Sequence, residues 1–177
     1  MRSLLFPTLF LALISLASLS ATEAPATPES KIAALGLALP VTTTPIANYV
    51  PAVRTGNLVF LSGHLPYDAE GKVIAGKVGK DADEKMANAA ARTTALALLA
   101  SLKQEIGDLS KVKRIVKVTG FVNGTDDFKA QPAVMNGCSD LLVAVFGDRG
   151  KHARAALGMA SLPRGAVVEI EMIVEVQ

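Results

Sequence analysis

Reactive and metal-binding side chains are scarce in this sequence. Cys138 is its one cysteine, and His64 and His152 are its two histidines. A single thiol excludes an intramolecular disulfide, so packing must hold the domain together, with oligomerisation as a further source of stability. One cysteine and two isolated histidines give none of the spacings that hold zinc or a related ion. No metal or other cofactor is expected. Glycine-rich phosphate loops are missing too: "LGLALP" and "RTGNLVFLSG" match neither nucleotide fingerprint. Nor is there much excess of charge, with 18 Lys and Arg against 16 Asp and Glu. Arg2 is the only charge in the first twenty residues, so the remainder is nearly neutral. Such a domain has little electrostatic reason to bind nucleic acid or a membrane surface.

Half of the residues are hydrophobic, and one apolar run stands apart. Arg2 is followed by "LLFPTLFLALISLASLS" and then by small residues, the pattern of a secretory signal peptide over residues 1–20 with cleavage after Ser20 or Ala21. An uncleaved anchor is the alternative. Pro7 and Thr8 shorten the clean stretch below the roughly 20 residues a spanning helix needs. The expectation is export to a bacterial periplasm, with no stable membrane association after cleavage. Residues 21–30 are polar and Pro-rich and read as a flexible tether. Residues 31–177 then form one domain.

Within that domain, "SKIAALGLALP" reads as a short helix ended by Pro40. Arg54-Thr55-Gly56-Asn57 is a hairpin turn between two apolar runs. "GKVIAGKVG" suggests a short strand. Residues 81–106 are the clearest helix, with a capping box at Asp81 and Glu84, a stripe of Leu98, Leu99, Leu102 and Ile106, and Gly107 as its stop. A strand rich in β-branched residues follows. A second helix starts near Pro132, with Val134, Cys138, Leu141 and Val145 as its stripe. Two closing strands, read as a pair joined by a turn, complete an α+β fold whose helices cover one face of the sheet. In "VVEIEMIVEV" strict alternation buries Val168, Ile170, Met172, Val174 and Val176. The other face carries Glu169, Glu171 and Glu175 and stays open for water, a ligand or another subunit.

In "HARAALGMA" the same alternation groups His152, Arg154, Ala156 and Gly158, opposite a core-like side of Ala153, Ala155, Leu157 and Met159. A guanidinium with space beside it can clamp a carboxylate through two parallel hydrogen bonds. A structural salt bridge to Glu169 or Glu171, taken to lie on the adjacent strand, is the equally open alternative. Ser62, His64 and Asp68 are too close in sequence for a Ser-His-Asp site. Lys111, Lys113, Arg114 and Lys117 suit a solvated sheet edge better than RNA binding. Cys138 reads as a small core hydrophobe.

Taken together, these stretches resemble one family. "ARAALGMASLPRGAVVEIEMIVEV" resembles the closing signature of the RidA/YjgF family, "NYVPAVRTGNLVFLSGHLP" its opening, and "VKRIVKVTGFVNGTDDF" its central strand. The resemblance runs in order from about residue 45 to the end. It implies a chorismate-mutase-like α+β sandwich, usually a homotrimer with ligand sites between subunits. The implied activity is cofactor-independent hydrolysis of reactive enamines and imines of small amino acids to 2-keto acids and ammonia. Some members carry an older label as L-PSP-type endoribonucleases.

By this resemblance Arg154 holds the substrate carboxylate and Glu169 positions or activates water. Tyr49 closes the pocket, Asn136 supports it, and Ser62 and Gly63 line it. The chain departs from the pattern in having Ala47-Asn48 before the tyrosine and Ala156 where a pocket cysteine is common. His64 replaces a usual glutamine and is expected beside the substrate as a specificity residue. The chain thus reads as a divergent, exported branch. The leading expectation is a hydrolytic deaminase. A non-catalytic small-carboxylate-binding module is second, and RNA cleavage, which the charge balance disfavours, is third.

Overall fold

Alanine-rich and β-branched stretches alternate along the chain, and the elements follow them. The computed structural model describes residues 26–42 and 47–177. The expected signal peptide, its cleavage site and most of the tether lie outside the described residues. Helix α1 spans Pro28–Ala34, capped by the Thr27 hydroxyl. It therefore takes up the last residues assigned to the tether, and it stops well before Pro40.

Helix α2, Glu84–Ile106, carries the expected leucine stripe in the core. Its N-cap is Asp83, whose carboxylate accepts from the Met86 amide at 2.7 Å. Asp81 turns back instead to the Lys77 amide. Gly107 ends the helix at φ 83°, a conformation that glycine adopts without strain. Helix α3, Gln131–Phe146, has Pro132 in its first turn and buries Val134, Cys138, Leu141 and Val145.

The strands are β1 (Ala52–Thr55), β2 (Leu58–His64), β3 (Val112–Asn123), β4 (Ala153–Met159) and β5 (Val168–Val176). They form one mixed sheet in the order β1-β2-β5-β3-β4. β1 and β2 make the expected hairpin, with Gly56 at φ 58° in its turn. The closing strands are not a pair. β4 lies parallel to β3, reached through α3 as a crossover, whereas β5 lies antiparallel between β2 and β3. A strand-helix-strand sequence favours this arrangement, since the helix can bury its stripe on the sheet between two parallel strands. Residues 71–79 form only isolated bridges, one of them joining Ala75 to Ala166.

Helices α2 and α3 cover one sheet face over a core built from Leu98, Leu99, Met135, Leu141, Ile170 and Met172. The opposite face is open, with Val53, Phe60 and Leu157 exposed. The ladder puts Ala153, Ala155, Leu157 and Met159 on this open face, so the side expected to be core-like is the uncovered one. The basic cluster is exposed, and Lys111, Lys113 and Arg114 precede the β3–β4 ladder, which begins at Lys117, so they stand where β3 has no partner on its β4 side. Lys113 pairs with Glu175 of β5 at 3.1 Å.

Candidate functional site

Two clusters of polar side chains form on opposite faces of the sheet. The first begins with α3, which small residues bring close to the strands. A Cβ at Gly120 of β3 would strike Met135, and one at Gly137 would strike the backbone of Asn88 in α2. Gly158 sits in the same way under Gln131, and Ala156 packs against the core. The small residues flanking Arg154 therefore mark a close helix rather than empty space. With α3 held there, Asn136 and Ser139, three residues apart and so on one helical face, meet β4.

Arg154 stands opposite Val118 in the parallel ladder, on the helix-covered side. Its Nη1 donates to Asn136 Oδ1 at 2.9 Å and to Ser139 Oγ at 3.0 Å. Among the described residues no carboxylate lies within salt-bridge distance of the guanidinium. Glu169 and Glu171 are unavailable because β3 separates their strand from β4. The residue is exposed, and Nε and Nη2 have no hydrogen-bond partner among the described residues. The structural salt bridge to Glu169 or Glu171, one of the two readings open for Arg154, is therefore not formed.

His152 completes this cluster. Its Nε2 lies 3.1 Å from Ser139 Oγ and its Nδ1 lies 2.6 Å from the Gly150 carbonyl oxygen. Burial is the main cause holding its pKa below the usual value; the Gly150 bond opposes this and the Arg154 charge adds to it. Sequence reasoning placed His152 on the Arg154 side but gave neither it nor Ser139 a role. The available signal was the polar pair Asn136 and Ser139, three residues apart on a largely apolar helix.

The second cluster lies on the open face around Glu169, which stands opposite Phe121 in the ladder. A Cβ at Gly63 would run into the Glu169 carboxylate, so glycine is what admits the side chain there. Ser62 donates from Oγ to the Val50 carbonyl at 2.7 Å and from its amide to Pro51 at 3.0 Å. These bonds pin the segment that carries exposed Tyr49. Half-buried Glu169 has its carboxyl pKa raised, chiefly by burial and secondly by the charge of Glu171. A carboxylate so poised suits proton acceptance.

His64 does not join this cluster. A bulge between Leu61 and His64 turns its ring towards α2. There Nδ1 meets the Ser62 carbonyl oxygen at 2.7 Å and Nε2 meets Ser101 Oγ at 2.8 Å. Both ring nitrogens are engaged inside the protein, and burial holds the pKa low despite the Ser62 bond. The imidazole expected beside a substrate is thus part of the helix-sheet packing. Asp68 is also remote in function, accepting from the amides of Glu70 and Lys72.

Arg154 and Glu169 consequently face opposite sides of one sheet, and a single chain does not bring them together. Asn136 joins Arg154, and Gly63 joins Glu169.

Comparison with known proteins fits this architecture. Residues 29–176 match the family described as "YjgF/chorismate_mutase-like, putative endoribonuclease". Protein TCP17 of Trypanosoma cruzi is 42% identical over 142 residues, covering 80% of this chain and 89% of that protein. The 2-iminobutanoate/2-iminopropanoate deaminase of Dermatophagoides farinae is 28% identical over 142 residues, 80% of this chain and 95% of its own. The crystal structure of Atu1372 from Agrobacterium tumefaciens superposes with a TM-score of 0.79 at 45% identity, covering 85% of this chain and 94% of the other.

Proposed function

Because the chain belongs to the YjgF/chorismate-mutase-like family, we propose that it is a hydrolytic deaminase converting small imine or enamine carboxylates into 2-oxo acids and ammonia. The observation that carries this reading is Arg154, exposed, held by neutral partners, and without a protein carboxylate beside it. A fixed guanidinium of this kind binds a small anionic substrate by its carboxylate and limits the directions from which water can approach. The similarity to the Dermatophagoides farinae protein named as a 2-iminobutanoate/2-iminopropanoate deaminase suggests the substrate size.

In this reading water attacks the imine carbon while Glu169 accepts a proton from it. Glu169 returns that proton to the nitrogen to give the carbinolamine, whose hydroxyl proton also passes to the nitrogen as the carbonyl forms, and the C–N bond breaks with release of ammonia. Since Arg154 and Glu169 of one chain face apart, the complete site forms between copies, within a homotrimer closed through the open sheet face. The exposed Val53, Phe60 and Leu157 on that face support such an assembly. Tyr49 closes the site from the Glu169 side, and Asn136 keeps the guanidinium in place. The protein works outside the cytoplasm, as its N-terminal segment suggests.

Ammonia release from freshly generated 2-iminobutanoate tests the proposal. Wild type is expected to accelerate release, and Arg154→Ala and Glu169→Gln each to abolish the acceleration. No acceleration by wild type overturns it. A non-catalytic carboxylate-binding module is the second reading, favoured by the separation of Arg154 from Glu169 in one chain. It predicts loss of affinity at Arg154 with no effect of Glu169→Gln.

A further inference from the structure

We infer that Ser139 and His152 are positioning residues that hold the Arg154 guanidinium by one nitrogen and present its opposite edge to the substrate carboxylate. This rests on the reading of Arg154 as the carboxylate clamp and adds how the clamp is aimed. The hydrogen-bond chain has one consistent direction. Arginine only donates, so both Asn136 Oδ1 and Ser139 Oγ accept from Nη1. Nη1 carries two hydrogens, and these two bonds engage both. The Gly150 carbonyl can only accept, so His152 carries its proton on Nδ1. In the neutral ring Nε2 is then an acceptor, and the Ser139 hydroxyl donates to it.

Every proton on the anchored side is thereby assigned. What remains is the edge formed by Nε–H and Nη2–H, the fork that matches two carboxylate oxygens. The chain works while His152 is neutral, because a second proton on the ring would leave Ser139 facing two cationic donors. The groups around the imidazole suit the neutral state. Arg154 follows two residues on, in β4, and Arg114 of β3 and Lys151 share with His152 a cleft of about 230 Å³. Lys151 is itself paired to Asp148 at 2.7 Å, and the facing residues of α3, Asn136 and Ser139, are uncharged.

The role is in aiming the carboxylate, so its loss changes affinity and leaves the water-handling step at Glu169 intact. The test measures binding of 2-oxobutanoate, the acid that hydrolysis of 2-iminobutanoate yields, together with KM and kcat for the imine. Ser139→Ala is expected to weaken 2-oxobutanoate binding and raise KM by about ten-fold with kcat little changed, as for loss of one bond to a charged group. Ser139→Thr, which keeps the hydroxyl, is expected to restore both. Equal binding by wild type and Ser139→Ala, or an equal loss in Ser139→Thr, overturns the inference and leaves the clamp standing. No binding by wild type overturns the clamp itself. Nitrogen NMR of the intact protein reads the chain independently, with the His152 signals assigned by their loss in His152→Gln. A neutral, Nδ1-protonated ring at neutral pH that responds to 2-oxobutanoate is expected, and an Nε2-protonated or charged ring refutes the relay.

Discussion

Replacing Gly137 with alanine tests how firmly the helix layer fixes the Arg154 cluster. Gly137 follows Asn136 on α3, at the point where α3 crosses α2. A Cβ there would overlap the Asn88 carbonyl oxygen and approach its carbon to 2.9 Å. The obstacle is backbone, which no rotamer change removes. Asn88 is anchored besides, its side-chain amide donating to the carbonyl oxygens of Ala133 at 2.8 Å and Val134 at 3.4 Å. Propensity alone favours alanine over glycine in a helix by about 1 kcal/mol. Overpacking costs about 1–3 kcal/mol even where side chains can yield. Separating the helices also weakens the Asn88 bonds, each worth about 1 kcal/mol. The collision outweighs the propensity gain, and the net expectation is a loss of about 2 kcal/mol. Urea unfolding measures it, with Ala144→Gly as the contrasting variant. Ala144 is exposed on the same helix, so its replacement costs only the propensity term of about 1 kcal/mol. A Gly137→Ala protein as stable as wild type refutes the close crossing and, with it, the account of how Asn136 and Ser139 reach β4.

Other expectations concern the two clusters and the core. Arg154→Lys keeps the charge but loses the planar fork and the paired bonds to Asn136 and Ser139, so 2-oxobutanoate binding is expected to fall at least about ten-fold in calorimetry. The acid limb of kcat/KM is expected above the ordinary glutamate range, because Glu169 must lose its proton to act as a base and its pKa is raised. Glu171→Gln removes the second cause of that rise and is expected to move the limb to lower pH, short of the ordinary value because burial remains; an unmoved pH-rate profile contradicts this. Burial pushes the Cys138 thiol pKa up to about 12. Alkylation by iodoacetamide at about pH 8 is accordingly expected only from unfolded protein, and rapid labelling under native conditions argues against the buried position.

The helices were legible because their stripes and stops are local signals. Leu98, Leu99, Val134, Cys138 and Gly107 all stand where periodicity and turn chemistry put them. The strand partners were not. Nothing within residues 152–176 indicates that β3 inserts between β4 and β5, because pairing is decided by how α3 crosses the sheet. Alternation along β4 correctly grouped His152 with Arg154. Small side chains on both sides of that strand, however, gave no measure of which side the helix covers. The same ambiguity hid the separation of Arg154 from Glu169, whose residue types were readable but whose faces depend on a third strand. His64 was misjudged for another reason: its inward turn follows from a bulge that no composition rule marks.

That bulge makes chain length and side-chain phase independent at one point of β2. Three steps from Leu61 to His64 match two from Met172 to Ile170, so both ends of the interval point inward although an odd number of steps separates them. Shortening this stretch by one residue would therefore do more than trim it. The strand would slip half a pleat, leaving either the imidazole stranded without Ser101 or a bulkier residue where Gly63 now clears the Glu169 carboxylate.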